Sequence, residues 1–152
     1  MKIIIFTLVS AILAVGMFSN VSFAEAPQRS VSDYSVKEMI DYISPQFGQD
    51  PKLISKITWC ESGHKILPHD GYRGVNITGI HDATFYGWLP EYEKEVGETL
   101  DIKSSFDQLK MMSWAFKDEN KRELWTTYVA YKKGGEYKFT TKNGKVYIAR
   151  CK

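Results

Sequence analysis

Asp50-Pro51-Lys52-Leu53-Ile54-Ser55-Lys56-Ile57-Thr58-Trp59-Cys60-Glu61-Ser62-Gly63 reads as a helix with both ends marked and one charge in an unexpected place. Aspartate ahead of proline suits a helix start, because the carboxylate accepts from first-turn amides and proline sets a helical φ where no donor is needed. Gly63 is the residue type that closes a helix in the left-handed conformation. Within the segment Ile54, Ile57 and Thr58 lie three and four apart and draw an inward stripe, and the next place on that stripe is Glu61. A buried carboxylate is costly without donors, so such a group either finds them or keeps its proton with a raised pKa. A carboxyl group of that kind suits general acid work near neutral pH. The plain alternative is a helix-end glutamate bent to solvent or paired with a lysine.

Upstream, Ser35-Val36-Lys37-Glu38 has the spacing of a capping box, and Met39, Ile40 and Ile43 add a short apolar face that Pro45 and Gly48 end. Downstream, residues 63–78 are rich in glycine, histidine and turn formers and read as a long loop with room for a small sheet. Asp82 to Leu89 predicts a short helix, capped by Asp82 and stopped by Pro90. Ser104 or Ser105 caps another, with Phe106, Leu109, Met112, Ser113 and Phe116 at helical spacing. A further helix from about Lys121 carries Leu124, Trp125, Tyr128, Val129 and Tyr131, and Gly134-Gly135 ends it. The period then changes to two. Tyr137, Phe139 and Thr141 alternate with polar residues, Asn143-Gly144 supplies a type I′ turn, and Val146, Ile148 and Arg150 return as a β-hairpin over 136–151. The fold class is therefore mainly α (α+β): four or five helices around one core, with a C-terminal hairpin. Its single domain spans 35–152, after an exposed segment over 25–34.

The chain opens with Lys2, runs mostly apolar from Ile3 through Met17 and reaches Val21-Ser22-Phe23-Ala24 before polar sequence begins. That order is a secretory signal over 1–24, cleaved after Ala24. Gly16, Ser19 and Asn20 make it a poor membrane span, which needs about 20 apolar residues. The expected product is exported, to a periplasmic, cell-envelope or secreted location, with no membrane anchor after processing. Lys2 is the one charged residue in the signal, so the formal net charge falls from +2 to +1 on cleavage. That balance argues against nucleic acid as partner, since phosphate neutralisation calls for a clustered basic surface. Cys60 and Cys151 make an even count for an oxidising compartment, and a bridge between them would close a loop worth about 4 to 5 kcal/mol. A buried thiol at Cys60 with a loose one at Cys151 is the other reading.

Three short blocks, in order, bear on function. Cys60-Glu61-Ser62-Gly63 resembles the Glu-Ser signature of the soluble lytic transglycosylase branch of the lysozyme superfamily, where the glutamate ends a helix and faces a glycan cleft. Thr78-Gly79-Ile80 is similar to the family's Gly-Leu-Met-Gln segment, with Thr84 following where a threonine is often found. Ala130-Tyr131-Lys132-Lys133-Gly134 is similar to its Ala-Tyr-Asn-Ala-Gly segment, whose tyrosine approaches the catalytic glutamate. The resemblance covers roughly Val36 to Gly135 and implies a lysozyme-like domain. It further implies cleavage of the β-1,4 bond between N-acetylmuramic acid and N-acetylglucosamine by one carboxyl group, leaving 1,6-anhydro ends. Glu61 is then the catalytic acid. Ser62, Gly79, Ile80, His81, Asp82, Tyr131, Tyr86 and Trp88 are the expected substrate-binding or orienting residues, peptidoglycan strands are the partner, no cofactor is needed, and the protein is a monomer. The chain departs from the pattern at His81-Asp82, where the family has Met-Gln, and at Lys132, where it has asparagine. Those changes alter glycan contacts.

Other readings set out alternatives. A second carboxylate, Asp70 or Asp82, would turn the chemistry to hydrolysis by a muramidase. Cys60, His64, His69 and His81 offer zinc-compatible atoms, although their spacing matches no compact ligand pattern, so no metal is assigned. Trp59, Trp88, Trp114 and Trp125 would serve a non-catalytic glycan-binding module, although at helical spacing most such residues are core.

Overall fold

A computed structural model describes residues 34–66 and 76–152. The proposed signal over 1–24, most of the exposed segment, and His69 and Asp70 lie outside them.

Each early helix begins and ends where local chemistry directs. α1 (Val36–Ile43) carries the capping box: Ser35 accepts from the Glu38 amide, and the Ser35 amide donates to the Glu38 carboxylate at 2.8 Å. Its Val36, Met39, Ile40 and Ile43 are buried. A 3-10 turn (Ser44–Phe47) follows and closes at Gly48, whose φ of +70° is open to glycine at little cost. α2 (Pro51–Ser62) starts on Asp50, which accepts from the Lys52 amide at 2.9 Å, and stops at Gly63, which donates to the Trp59 carbonyl at 2.7 Å.

α3 (Asp82–Val96) corrects two expectations. His81 occupies the cap position, Asp82 is the first helical residue, and the helix runs through Pro90. An interior proline costs about 3 kcal/mol. Phe85 and Tyr92, both fully buried and two turns apart, hold the helix on either side of it, and Leu89 packs between them. Tertiary burial therefore outweighs the break.

α4 (Ser105–Ala115), capped by Ser104, is the axis of the domain. Every residue from Leu109 to Ala115 except Lys110 is buried, as expected of a helix enclosed on all sides. α1 and α3 pack against it. The helix expected from Lys121 is two: α5 (Glu119–Arg122) and α6 (Thr126–Lys132), parted at Trp125. Six α-helices result among the described residues, where four or five were expected. Trp125 is buried against Trp88 and Phe116, a contact that no continuous helix need make. α6 then packs on α2 and on both strands of the hairpin.

β1 (Glu136–Thr140) and β2 (Val146–Arg150) pair antiparallel, with Tyr137 opposite Ala149 and Phe139 opposite Tyr147. The hairpin is as expected; its turn is not. Gly144 alone has a positive φ, +78°, and its amide bonds the Thr141 carbonyl at 2.9 Å. That is a three-residue loop ending in a left-handed glycine, not a type I′ turn, which needs positive φ at two positions. Cys151 ends the hairpin and forms a disulfide with Cys60 on α2. Among the described residues no helix is long and apolar enough to cross a membrane.

Candidate active site

The stripe of Ile54, Ile57 and Thr58 on α2 is buried, and the next turn delivers Glu61 to the place where α2, α6 and the 76–80 loop meet. Thr127, on α6, donates its hydroxyl to Glu61 Oε1. Gly79 lies under the other oxygen: a Cβ built there would stand 2.3 Å from Glu61 Oε2 and 2.8 Å from Cδ. A side chain there would have to displace the Glu61 carboxyl, and the φ of +69° favours glycine independently. Burial pushes the Glu61 carboxyl above its ordinary range, and the Thr127 hydroxyl and the His81 charge only partly pull it back. Among the described residues no second carboxylate figures in the groups that act on it.

The loop that brings Gly79 so close is built from buried polar groups. Asn76 donates from its side-chain amide to the Ile80 carbonyl at 2.7 Å, while its Oδ1 accepts from the Thr78 amide at 3.0 Å and the Thr78 hydroxyl at 3.1 Å. The Trp125 indole donates to the Thr78 carbonyl at 2.7 Å. The break between α5 and α6 thus clamps the loop from one side. On the other, Cys60 fixes the last turn of α2 through its bridge to Cys151. With its groups so paired, the network is rigid, and half-satisfied it would be costly.

Gly79, Ile80, His81 and Trp88, all expected at a binding site, line one small cleft with Thr84, Leu124 and Trp125, about 50 Å³ in volume. Gly79 joins that cleft to the Glu61 carboxyl. Tyr131 stands one helical turn beyond Thr127 on α6 and is 45 % exposed. Ser62 bonds back to its own helix, donating to the Thr58 carbonyl at 3.1 Å, so the hydroxyl that engages Glu61 is that of Thr127. Asp82 is half-buried at the start of α3. Tyr86 is exposed and packs edge-on against Phe85, outside the cleft lining. Cys60 is committed to the disulfide, and His64 is turned onto the Ser55 carbonyl at 2.8 Å. Trp114 and Trp125 are core residues, whereas Trp59 is exposed on the outer face of α2. There it lines a wider groove of about 630 Å³ with Lys52, Ser55 and Lys56, away from the stripe that carries Glu61.

Sequence reasoning missed Thr127, Asn76 and the clamp by Trp125. Thr127 was findable, since it lies four residues before Tyr131 and so on the same helix face. Asn76 and Trp125 act across 4 and 47 positions through backbone carbonyls, and no periodicity announces such bonds. Comparison of the chain with protein-family models, curated proteins and solved structures finds no match.

Proposed function

We propose that this protein is an exported, lysozyme-like glycan-cleaving enzyme of the lytic transglycosylase type, acting on peptidoglycan with Glu61 as its one catalytic carboxyl group. The observation that carries the reading is the seat of that group: mostly removed from water, donated to by Thr127 on Oε1, closed against Gly79, and raised by burial toward holding its proton. Thr127 occupies Oε1, which leaves Oε2 to carry the transferable proton. In the reaction Glu61 protonates the glycosidic oxygen of the β-1,4 bond, the C1–O bond breaks, and the muramoyl ring gains oxocarbenium character. The carboxylate then takes the proton of the muramoyl C6 hydroxyl as that oxygen bonds C1. Glu61 is returned in its acid form, no water is consumed, and the product end is a 1,6-anhydro sugar. Thr127, a donor to the charged form, steadies the carboxylate between the two transfers. His81 and Trp88 line the cleft the sugar would enter.

The disulfide fits an oxidising compartment and hence export. The test is digestion of purified peptidoglycan by the protein and by Glu61→Gln, with mass analysis of released fragments. Anhydro ends from the parent, and turnover lower by roughly 10²- to 10⁴-fold in the variant, are expected. Reducing ends would move the assignment to a hydrolytic muramidase. No release by either protein would leave a glycan-binding module.

A further inference from the structure

A second groove adjoins the first. Leu124, 64 % exposed at the corner between α5 and α6, lines the cleft beside Gly79, and it also lines a groove of about 430 Å³ between α6 and the hairpin. That volume is within the roughly 300–1,000 Å³ usual for small-ligand sites. Its walls are Thr126 and Val129 of α6 with Lys133 just past its end on one side, and Tyr137 and Phe139 of β1 on the other. Tyr137 and Phe139 have ring planes within 20° and centroids 5.7 Å apart, and Phe139 continues to Tyr147 of β2 at 5.8 Å with the same inclination. Lys133 Nζ stands 4.4 Å from the Tyr137 centroid and holds the near end of this row. Tyr147, at the far end, is 49 % exposed.

Aromatic rings of this kind are unusual on an exposed sheet face, because a hairpin can bury such rings only where something covers it. α6 covers one end and leaves the rest open. The groove offers apolar ring surface with a rim of hydroxyl, ammonium and carboxylate groups from Thr126, Lys133 and Glu123, and Tyr147 extends the ring surface beyond it through Phe139. Sugars present the matching chemistry: apolar C–H faces between equatorial hydroxyls. A peptide would pair with the free outer edge of β1, whereas the row offers ring faces and no backbone groups. We infer that the hairpin groove takes further sugar residues of the same glycan strand, which passes over Leu124 from the cleft at Glu61. This rests on the glycan reading of that cleft and adds to it a length requirement: the enzyme favours strands long enough to reach the aromatic row.

The test measures binding of peptide-free N-acetylglucosamine–N-acetylmuramic acid oligomers of increasing length to the Glu61→Gln protein, which cannot turn them over. Affinity should rise as the oligomer lengthens. Adding Tyr147→Ala should weaken the longest oligomers by about tenfold relative to the shortest. Val146→Ala alters the same strand on its opposite face and should keep the parent's length dependence, which separates loss of the row from damage to the hairpin. Binding of every length with no length dependence, or equal dependence in the Tyr147→Ala protein, overturns the inference while leaving the Glu61 cleft as a glycan site. A length-dependent gain that appears only with fragments bearing stem peptides overturns it in favour of a peptide site. Failure of all oligomers to bind removes the glycan reading of both grooves together.

Discussion

Among the described residues two carboxyl groups are raised by burial, Glu61 and Asp107, and their surroundings differ in kind. Asp107 sits in the first turn of α4, where its Oδ2 accepts from the Asp101 amide at 2.9 Å and its own amide donates to Ser104 Oγ at 3.3 Å. It ties a turn to a helix start and lines none of the clefts described above. Glu61 joins α2 to α6 through a single hydroxyl, and its other oxygen lies against Gly79, a residue that lines the small cleft. A raised pKa is therefore shared by a brace and a candidate acid. What separates them is place: the Glu61 carboxyl lies against a residue of the cleft, and Asp107 does not.

The sharpest way to break this contrast is Gly79→Ala. The added methyl would meet Oε2 and must displace either the loop or the carboxylate, so peptidoglycan cleavage should fall by about 10²-fold, the usual effect of a misplacement near 1 Å. Steady-state rates with soluble strands would show it, and activity within a factor of two of the parent would mean that the carboxylate need not sit where it does.

Next in size is a stability difference of opposite sign. Asp107→Ala removes the acceptor of the Asp101 amide and should lower unfolding free energy by about 1 kcal/mol without touching cleavage. Glu61→Gln should do the reverse. Because the folded-state pKa of Glu61 is raised, folding binds its proton more tightly, and that advantage is lost as pH climbs through the interval above the ordinary carboxyl value of about 4. The glutamine variant should melt higher than the parent at neutral pH, with the gap closing on acidification. Paired denaturation curves across pH decide the matter; a glutamine variant no more stable at neutral pH would show that Glu61 is not strained by its site.

The smallest expected change comes from Thr127→Val. Loss of the donor removes an influence that lowers the Glu61 pKa, so the alkaline limb of the kcat/KM profile should shift to higher pH. An unmoved limb would show that the threonine acts by packing alone.

Much of this fold was legible because its signals are local. The Ser35 box, the Asp50-Pro51 start, the Gly63 stop and the strand alternation each need only neighbours in sequence, and each is present. The cysteine count pointed to the bridge that forms. The stripe on α2 led to Glu61, while the partner that engages it came from another helix. The misses share one cause. Pro90 should have ended α3 and Trp125 should have continued a helix, yet in both places buried aromatic contacts from distant parts of the chain prevail over local preference. The turn at 141–145 differs because Asn143 keeps a negative φ, which the pair of residue names could not reveal.

The glycine beneath the carboxylate has an evolutionary corollary. Every other amino acid brings a β-carbon into the space occupied by Glu61 Oε2, so drift at position 79 is incompatible with the acid as placed here. Among descendants of such a chain, Ser62 or Tyr86 can vary without disturbing that contact. A side chain at position 79 and the present place of the Glu61 carboxyl are therefore mutually exclusive, although the two residues belong to different segments of the chain.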